Sequence, residues 1–202
     1  MKMRKLLAAL AAPALLMTGL LLADEEAEKA EFSATCPVSG QPAKEESSLE
    51  YQGKKLYFCC DNCPAAYKAD PEKYTAKANY QLLQTAQIVQ VACPLTGRDI
   101  NPDTAIEIGT VKVAFCCENC QGKAQKAEGD EQVALIFGDI SKGFTLQTEC
   151  PVSGKAIDVA QSVEYEGKKV YFCCENCPAA FTADPEKYLD KLPQFAEEAA
   201  AE

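Results

Sequence analysis

Twelve cysteines recur along this chain with a fixed period of 57 residues. Each set reads C-x22-C-C-x2-C without insertion, and no cysteine lies outside the three sets. The sets are Cys36, Cys59, Cys60 and Cys63; Cys93, Cys116, Cys117 and Cys120; Cys150, Cys173, Cys174 and Cys177. The repeat predicts three copies of one small module. Modules of this size seldom bury enough apolar surface alone, so they usually need disulfides, a metal or a neighbour to pack against.

The chain contains no histidine. This excludes imidazole catalysis, imidazole metal ligation and the nucleophile pairs that depend on histidine. Sulfur is the only soft ligand type present in quantity. We therefore expect a non-enzymatic protein whose chemistry is carried by its thiols.

The N-terminal residues have the pattern of a secretory signal peptide. Lys2, Arg4 and Lys5 precede an apolar run from Leu6 to Ala23, and acidic residues follow at once. An uncleaved anchor is the alternative, but the run is short for a spanning helix and contains Pro13. We expect a signal peptide over 1–23, an acidic linker over 24–33, and a periplasmic or extracellular protein without stable membrane insertion once the peptide is cleaved.

The chain is acidic, with a formal net charge of -10. Removing a leader that carries three positive charges and no negative ones would bring the mature chain to -13. Such a charge opposes binding to phosphate backbones, so nucleic acid is not an expected partner.

Local patterns predict an α+β module in which a β-hairpin precedes one or two short helices. Tight turns are expected at 52–53, 109–110 and 166–167, with glycine first in the middle copy and second in the outer two. Alternating segments at 87–91 and 144–148 predict entering strands, and the middle copy predicts one continuous helix. We expect module 1 over 34–78, a divergent module 2 over 79–135, module 3 over 136–192 and an acidic tail over 193–202.

The cysteine spacing is typical of metal-binding modules. A lone cysteine, followed by two cysteines four apart at a hairpin-to-helix junction, matches how zinc-ribbon and treble-clef modules gather sulfur around one ion. Backbone N–H groups at a helix start favour the thiolate that a soft metal requires. The vicinal cysteines Cys60, Cys117 and Cys174 supply either a fourth ligand or a spare thiol, and three sulfurs suit Cu(I) better than zinc.

These residues resemble the TRASH and YHS family of small metal-binding modules, whose pattern is a cysteine, about twenty residues, a cysteine, three residues and a cysteine. The segments 36–40, 57–60 and 70–74, with their counterparts in the third copy, look like the YHS signature. The resemblance implies a fold similar to a small zinc-binding ribosomal protein and a role in heavy-metal sensing, trafficking or resistance, often of copper. Related zinc modules often have a second cysteine where this chain has Ser39, Thr96 and Ser153.

The sequence thus predicts three tandem treble-clef-like modules, each holding up to one Zn(II) or Cu(I) ion through its cysteines. Expected functions are buffering, sequestration or trafficking of that ion, with metal ions and another metal-handling protein as partners. Two alternatives stay open: an interaction scaffold held by structural zinc or by disulfides, and a thiol-disulfide redox protein that uses its C-x2-C motifs.

Overall fold

A computed structural model describes residues 32–195 of the 202-residue chain. The expected signal peptide, the linker up to residue 31 and the acidic end from residue 196 lie outside the described residues. Across 32–195, no helix is long and apolar enough to cross a membrane.

Three antiparallel β-hairpins form the repeated part of the fold. The strands are β1 Lys44–Tyr51, β2 Lys54–Phe58, β3 Val89–Gln90, β4 Asn101–Ile108, β5 Val111–Phe115, β6 Phe144–Thr145, β7 Asp158–Tyr165 and β8 Lys168–Phe172. β1 pairs with β2, β4 with β5 and β7 with β8. In β2, Leu56 and Phe58 point into the core, whereas Lys55 is exposed and Tyr57 is half-buried on the other face, as the twofold period of a strand requires.

Two-residue turns close the hairpins, as the sequence predicts. Gln52 and Gly53 have φ of 51° and 68°, and Glu166 and Gly167 have φ of 49° and 74°. Positive φ at both positions is the feature of a type I′ turn. In the middle hairpin Gly109 takes the positive φ, 57°, at the first position, as a type II′ turn requires.

Helices follow each hairpin, which confirms the predicted α+β class. They are α1 Asn62–Ala69, α2 Pro71–Gln84, α3 Glu118–Lys126, α4 Gly129–Phe137 and α5 Cys177–Ala183, with 3-10 turns at Ile140–Lys142, Glu186–Lys191 and Pro193–Phe195. Asp70 caps α2 by accepting the N–H of Lys73, and Pro71 occupies the first helical position, where its missing N–H is harmless.

The continuous helix predicted for module 2 is wrong. The helix stops after Lys126, because Ala127 and Glu128 adopt extended backbone conformations. Gly129 then starts α4 with a φ of 54°, a conformation that glycine adopts without strain. The break turns α4 back so that its residues Ile136 and Phe137 are fully buried.

The entering segments of modules 2 and 3 pair with each other. β3 and β6 form a two-stranded antiparallel sheet in which Val89 pairs with Thr145 and Gln90 with Phe144. Each strand has two residues, shorter than the predicted segments 87–91 and 144–148.

Modules 1 and 2 share one apolar core, which also includes Ile136, Phe137 and Phe144 from the start of the predicted module 3, whereas module 3 from Cys150 onward builds its own core. α2 continues past residue 78, the predicted end of module 1, and packs on α4. At this contact the rings of Tyr80 and Phe137 lie 5.2 Å apart. Lys77 and Asp130 add an ion pair of 2.8 Å between these helices. The core of module 3 extends into the segment predicted as a tail, since Phe195 is only 4% exposed.

Tyr67 buries a hydroxyl that has no hydrogen-bond partner among residues 32–195, and burial raises its pKa to about 12. Phe181 occupies the equivalent place in module 3. We expect Tyr67→Phe to raise the free energy of unfolding by about 1 kcal/mol, because an unsatisfied buried polar group disappears while the ring stays. Urea denaturation measures the change. Phe181→Tyr is the matched reverse variant, and a stabilised Phe181→Tyr or a destabilised Tyr67→Phe contradicts the explanation.

Candidate metal centres

A tight backbone loop holds the first cysteine of each module. The carbonyl oxygen of Cys36 accepts the N–H of Gly40 at 2.9 Å, and the N–H of Cys36 donates to the carbonyl of Gln41 at 2.8 Å. Gly40 has a φ of 73°, a left-handed conformation that glycine adopts without strain, and this allows the chain to turn back towards Cys36. The same loop surrounds Cys93 and Cys150. All three cysteine side chains are almost fully buried, which fixes one sulfur inside each module.

The remaining cysteines lie where the hairpin meets the helix. β2 ends at Phe58, so Cys59 and Cys60 follow the strand directly, and Cys63 lies in the first turn of α1. Cys63 is buried, Cys59 is half-buried and Cys60 is exposed. Each site therefore runs from a buried sulfur to the surface of the protein.

Three sulfur atoms come together in every module. In each of three groups, all Sγ atoms lie within 4.8 Å of one another: Cys36, Cys59 and Cys63; Cys93, Cys116 and Cys120; Cys150, Cys173 and Cys177. A tetrahedral site with Zn–S bonds of about 2.3 Å separates its sulfurs by about 3.8 Å. The distance is 3.6 Å between Cys59 and Cys63 and 3.7 Å between Cys116 and Cys120. These nine cysteines have the spacing of a soft-metal site.

The vicinal cysteines stand at the edge of these groups. Cys60 Sγ lies 3.5 Å from Cys63 Sγ and 3.8 Å from Cys59 Sγ. Module 3 repeats this arrangement, with 3.5 Å between the sulfurs of Cys174 and Cys177. In the outer modules the fourth sulfur is thus at tetrahedral spacing from two members of its group.

Arg98 makes the middle site different, which the cysteine repeat alone does not predict. Its guanidinium Nη2 donates to Cys116 Sγ at 3.3 Å and lies 4.0 Å from Cys117 Sγ. Gln41 and Lys155 occupy this position in modules 1 and 3. The signal was visible as one strongly basic, fork-shaped side chain at a fixed point of the repeat.

Hydroxyl groups support the second sulfur of each site. Ser39 Oγ lies 3.1 Å from Cys59 Sγ and accepts the backbone N–H of Gln41, so its own proton is available to the sulfur. Ser153 contacts Cys173 in the same way, and Thr96 does so for Cys116 at 3.4 Å. The positions at which related zinc modules often carry a second cysteine therefore supply hydrogen bonds to a ligand.

The first and last cysteines of each outer set have opposite pKa shifts. Burial raises the pKa of Cys36, but hydrogen bonds from the Ser39 hydroxyl and nearby backbone outweigh it and lower the pKa to about 7. The same balance lowers the pKa of Cys150 to about 7. Burial raises the pKa of Cys177 to about 12, and it raises the pKa of Cys63 as well. Near neutral pH each outer group thus combines a partly ionised thiol with a protonated one.

The three vicinal cysteines all have lowered pKa values. The leading cause is a backbone N–H directed at the sulfur, from Asn62 for Cys60 and from Asn176 for Cys174. For Cys117 the leading donor is the N–H of Cys120. This agrees with the expectation that the hairpin-to-helix junction favours thiolates.

A glutamine side chain ties the two halves of each site together. Gln147 accepts the N–H of Tyr171 at 3.0 Å and donates to the carbonyl oxygens of Tyr171 and Glu149 at 2.6 and 3.0 Å. Glu149 precedes the first cysteine of module 3, and Tyr171 lies two residues before the second. One side chain therefore fixes both cysteine-bearing segments.

The same clamp recurs in the other modules. In module 2, Gln90 bonds Ala114 and the carbonyl of Ala92 in this way. In module 1, Gln81 of α2 bonds Tyr57 and the carbonyl of Thr35. The sequence signal is glutamine at the same repeat position in modules 2 and 3, which the sequence analysis did not single out.

Metal binding should release more protons at pH 6 than at pH 8.5. Below its pKa of about 7, Cys36 or Cys150 carries a proton that a metal must displace, and above that pKa it does not. We expect at least about one additional proton per outer module at the lower pH, and weaker apparent binding there. Calorimetric titration in buffers of different ionisation enthalpy measures the release. Equal release at both values would contradict the assignment.

Comparison with known proteins fits this geometry. The YHS domain matches the chain twice, over residues 34–78 and 149–191. No curated protein and no solved structure matches the chain. Each matched segment contains a complete cysteine group of the kind described above, in agreement with the predicted metal-binding modules. The YHS domain is therefore found twice in this chain, once around each outer cysteine group.

Proposed function

We propose that this chain is an exported, non-enzymatic metal-binding protein that holds Zn(II) or Cu(I) through cysteine thiolates and buffers, sequesters or passes on the ion. The observation that carries the proposal is the convergence of three sulfur atoms within 4.8 Å in each of three modules. Cysteine sulfur is the ligand that both ions prefer among protein side chains. In this proposal the ion is what the protein carries, and it does not polarise a substrate.

Exposure of the sites favours exchange over a purely structural role. Structural zinc sites have all four coordination positions filled by protein ligands, so exchange requires a ligand that an incoming thiol can reach. Here Cys60 is exposed, and Cys59 and Cys173 are only half-buried. An incoming thiol can therefore reach a ligand without unfolding the module, which supports transfer to another metal-handling protein.

The clustering of sulfurs also favours metal over disulfides. None of the twelve cysteines is bonded to another in the structure. In module 1 Cys59 Sγ has two sulfur neighbours at similar distances, 3.6 Å to Cys63 and 3.8 Å to Cys60. A set of nearly equal sulfur distances around one point suits an ion, whereas a disulfide pairs one sulfur with one other.

Export is part of the proposal and has its own test. N-terminal sequencing of the chain recovered from the periplasm or medium of an expressing bacterium should begin near residue 24. An intact N-terminus in the cytoplasm would contradict export.

Chelator competition tests the buffering role. The zinc-loaded chain, prepared without oxygen, is mixed with a chromophoric chelator and the rate of transfer is followed. We expect most of the bound metal to exchange without loss of secondary structure, and Cys60→Ser to slow the transfer. Metal that leaves only when the chain unfolds would instead support a structural scaffold.

A further inference from the structure

The three metal sites are built in two ways, and the difference starts in the backbone. In the outer modules the residue after the last cysteine of the set is proline, Pro64 or Pro178, and in the middle module it is Gln121. We propose that the outer modules bind metal with four thiolates, as Zn(II) prefers, while the middle module binds with three thiolates beside Arg98 and selects a soft monovalent ion such as Cu(I). This inference rests on the proposed function and specifies the ion at each site.

Proline controls the turn that carries the vicinal cysteine. Because Pro64 has no N–H, the carbonyl oxygen of Cys60 cannot receive an α-helical bond from it. That carbonyl instead accepts the N–H of Cys63 at 3.2 Å, a three-residue turn. The carbonyl of Cys174 accepts the N–H of Cys177 in the same way, at 3.3 Å.

Those turns bring the vicinal sulfur to the site. The Sγ–Sγ distance is 3.5 Å both from Cys60 to Cys63 and from Cys174 to Cys177. Cys60 is also 3.8 Å from Cys59. These are edges of a tetrahedron around a zinc-sized ion, whose remaining corner is the buried first cysteine.

In the middle module the residue after the last cysteine has an N–H, and the vicinal cysteine accepts an α-helical hydrogen bond. The N–H of Gln121 donates to the carbonyl of Cys117 at 3.1 Å, and α3 begins directly at Glu118. Cys117 is left as the extended residue before the helix, with φ of -165° and ψ of 165°. Its sulfur lies 3.7 Å from Cys116 and 4.0 Å from the guanidinium of Arg98.

Arg98 also changes the charge at the middle site. The repulsion between a guanidinium and a bound cation is proportional to the charge of the cation, so a divalent ion is disfavoured twice as much as a monovalent one. The guanidinium holds Cys116 Sγ at 3.3 Å, within the group of Cys93, Cys116 and Cys120. Three thiolates suffice for Cu(I), which leaves Cys117 free of the metal.

Site-resolved alkylation tests the proposal on the full chain. The anaerobic apo-protein receives Zn(II) or Cu(I), is treated with iodoacetamide, and each cysteine is quantified by peptide mapping against the apo-protein. With two equivalents of Zn(II) we expect Cys60 and Cys174 to be protected while Cys116 and Cys120 react. With Cu(I) we expect Cys93, Cys116 and Cys120 to be protected while Cys117 reacts as in the apo-protein.

Two variants tie the result to its causes. Arg98→Gln, the residue of module 1, should raise zinc affinity at the middle site about tenfold, and Arg98→Lys should not. Gln121→Pro should bring Cys117 into protection, with Gln121→Ala as its control. Equal protection of Cys117 and Cys60 in the zinc-loaded wild type, or unchanged ion preference in Arg98→Gln, overturns the inference. Protection of no cysteine by either ion would instead refute the proposed function itself.

Discussion

Replacing Cys150 with serine is expected to empty module 3 of metal and to unfold that module, whereas Cys36→Ser should empty module 1 and leave it largely folded. Both cysteines are almost fully buried and each is the only ligand that its loop contributes. Loss of a direct ligand should weaken binding by at least about 100-fold, the upper range for loss of a supporting residue. Each variant should therefore lack one metal ion relative to the wild type.

The difference in folding follows from the cores. Module 1 shares its core with module 2 through α2 and α4, whereas module 3 relies on a small core of its own. Small cores depend on a metal or a similar constraint for stability. Hydrogen exchange followed by peptide mapping should show loss of protection across β7, β8 and α5 in Cys150→Ser. Retention of all three ions in either variant, or equal loss of protection in both, would contradict this account.

The second large effect is expected for Gln147→Leu. The substitution places an apolar side chain of similar size at a position that is only 1% exposed. It removes the hydrogen bonds that Gln147 makes with the N–H and the carbonyl oxygen of Tyr171 and with the carbonyl oxygen of Glu149. Each buried polar group left unpaired costs about 1–3 kcal/mol, so we expect a loss of about 3 kcal/mol or more in the stability of module 3. Thermal unfolding with and without zinc measures it.

Gln147→Glu separates hydrogen bonding from size. A carboxylate has nearly the same shape but cannot donate to two carbonyl oxygens, so it should destabilise module 3 as strongly as leucine does. Gln41→Leu is the control, because Gln41 is exposed and its side chain should matter within about 0.5 kcal/mol. A mild effect of Gln147→Leu would show that the clamp does not hold the site together.

The cysteine groups and the hairpins were predictable because local rules determine them. A fixed spacing places Cys59 just after the strand and Cys63 in the first turn of the helix, and glycine at Gly53 or Gly109 determines the turn type. The helix break at Ala127 and Glu128 was not predictable from helical propensity. It depends on tertiary packing, since turning the chain there buries Phe137.

The supporting residues were harder to infer because they act across the chain. In module 1 the repeat position of Gln90 and Gln147 is occupied by Ser33, and the clamp is instead made by Gln81 of α2. The 57-residue period therefore does not reveal the glutamine of the first site. Arg98 contacts cysteines 18 and 19 residues away. Such contacts appear only once the hairpin is folded over the first loop.

The measurement that tests the central claim most directly is native mass spectrometry of the mature chain purified without oxygen, with a count of free thiols on the same sample after chelation and denaturation. The account predicts one metal ion for each of the three cysteine groups and twelve reactive thiols. A metal-free chain in which the cysteines are paired as disulfides would contradict it.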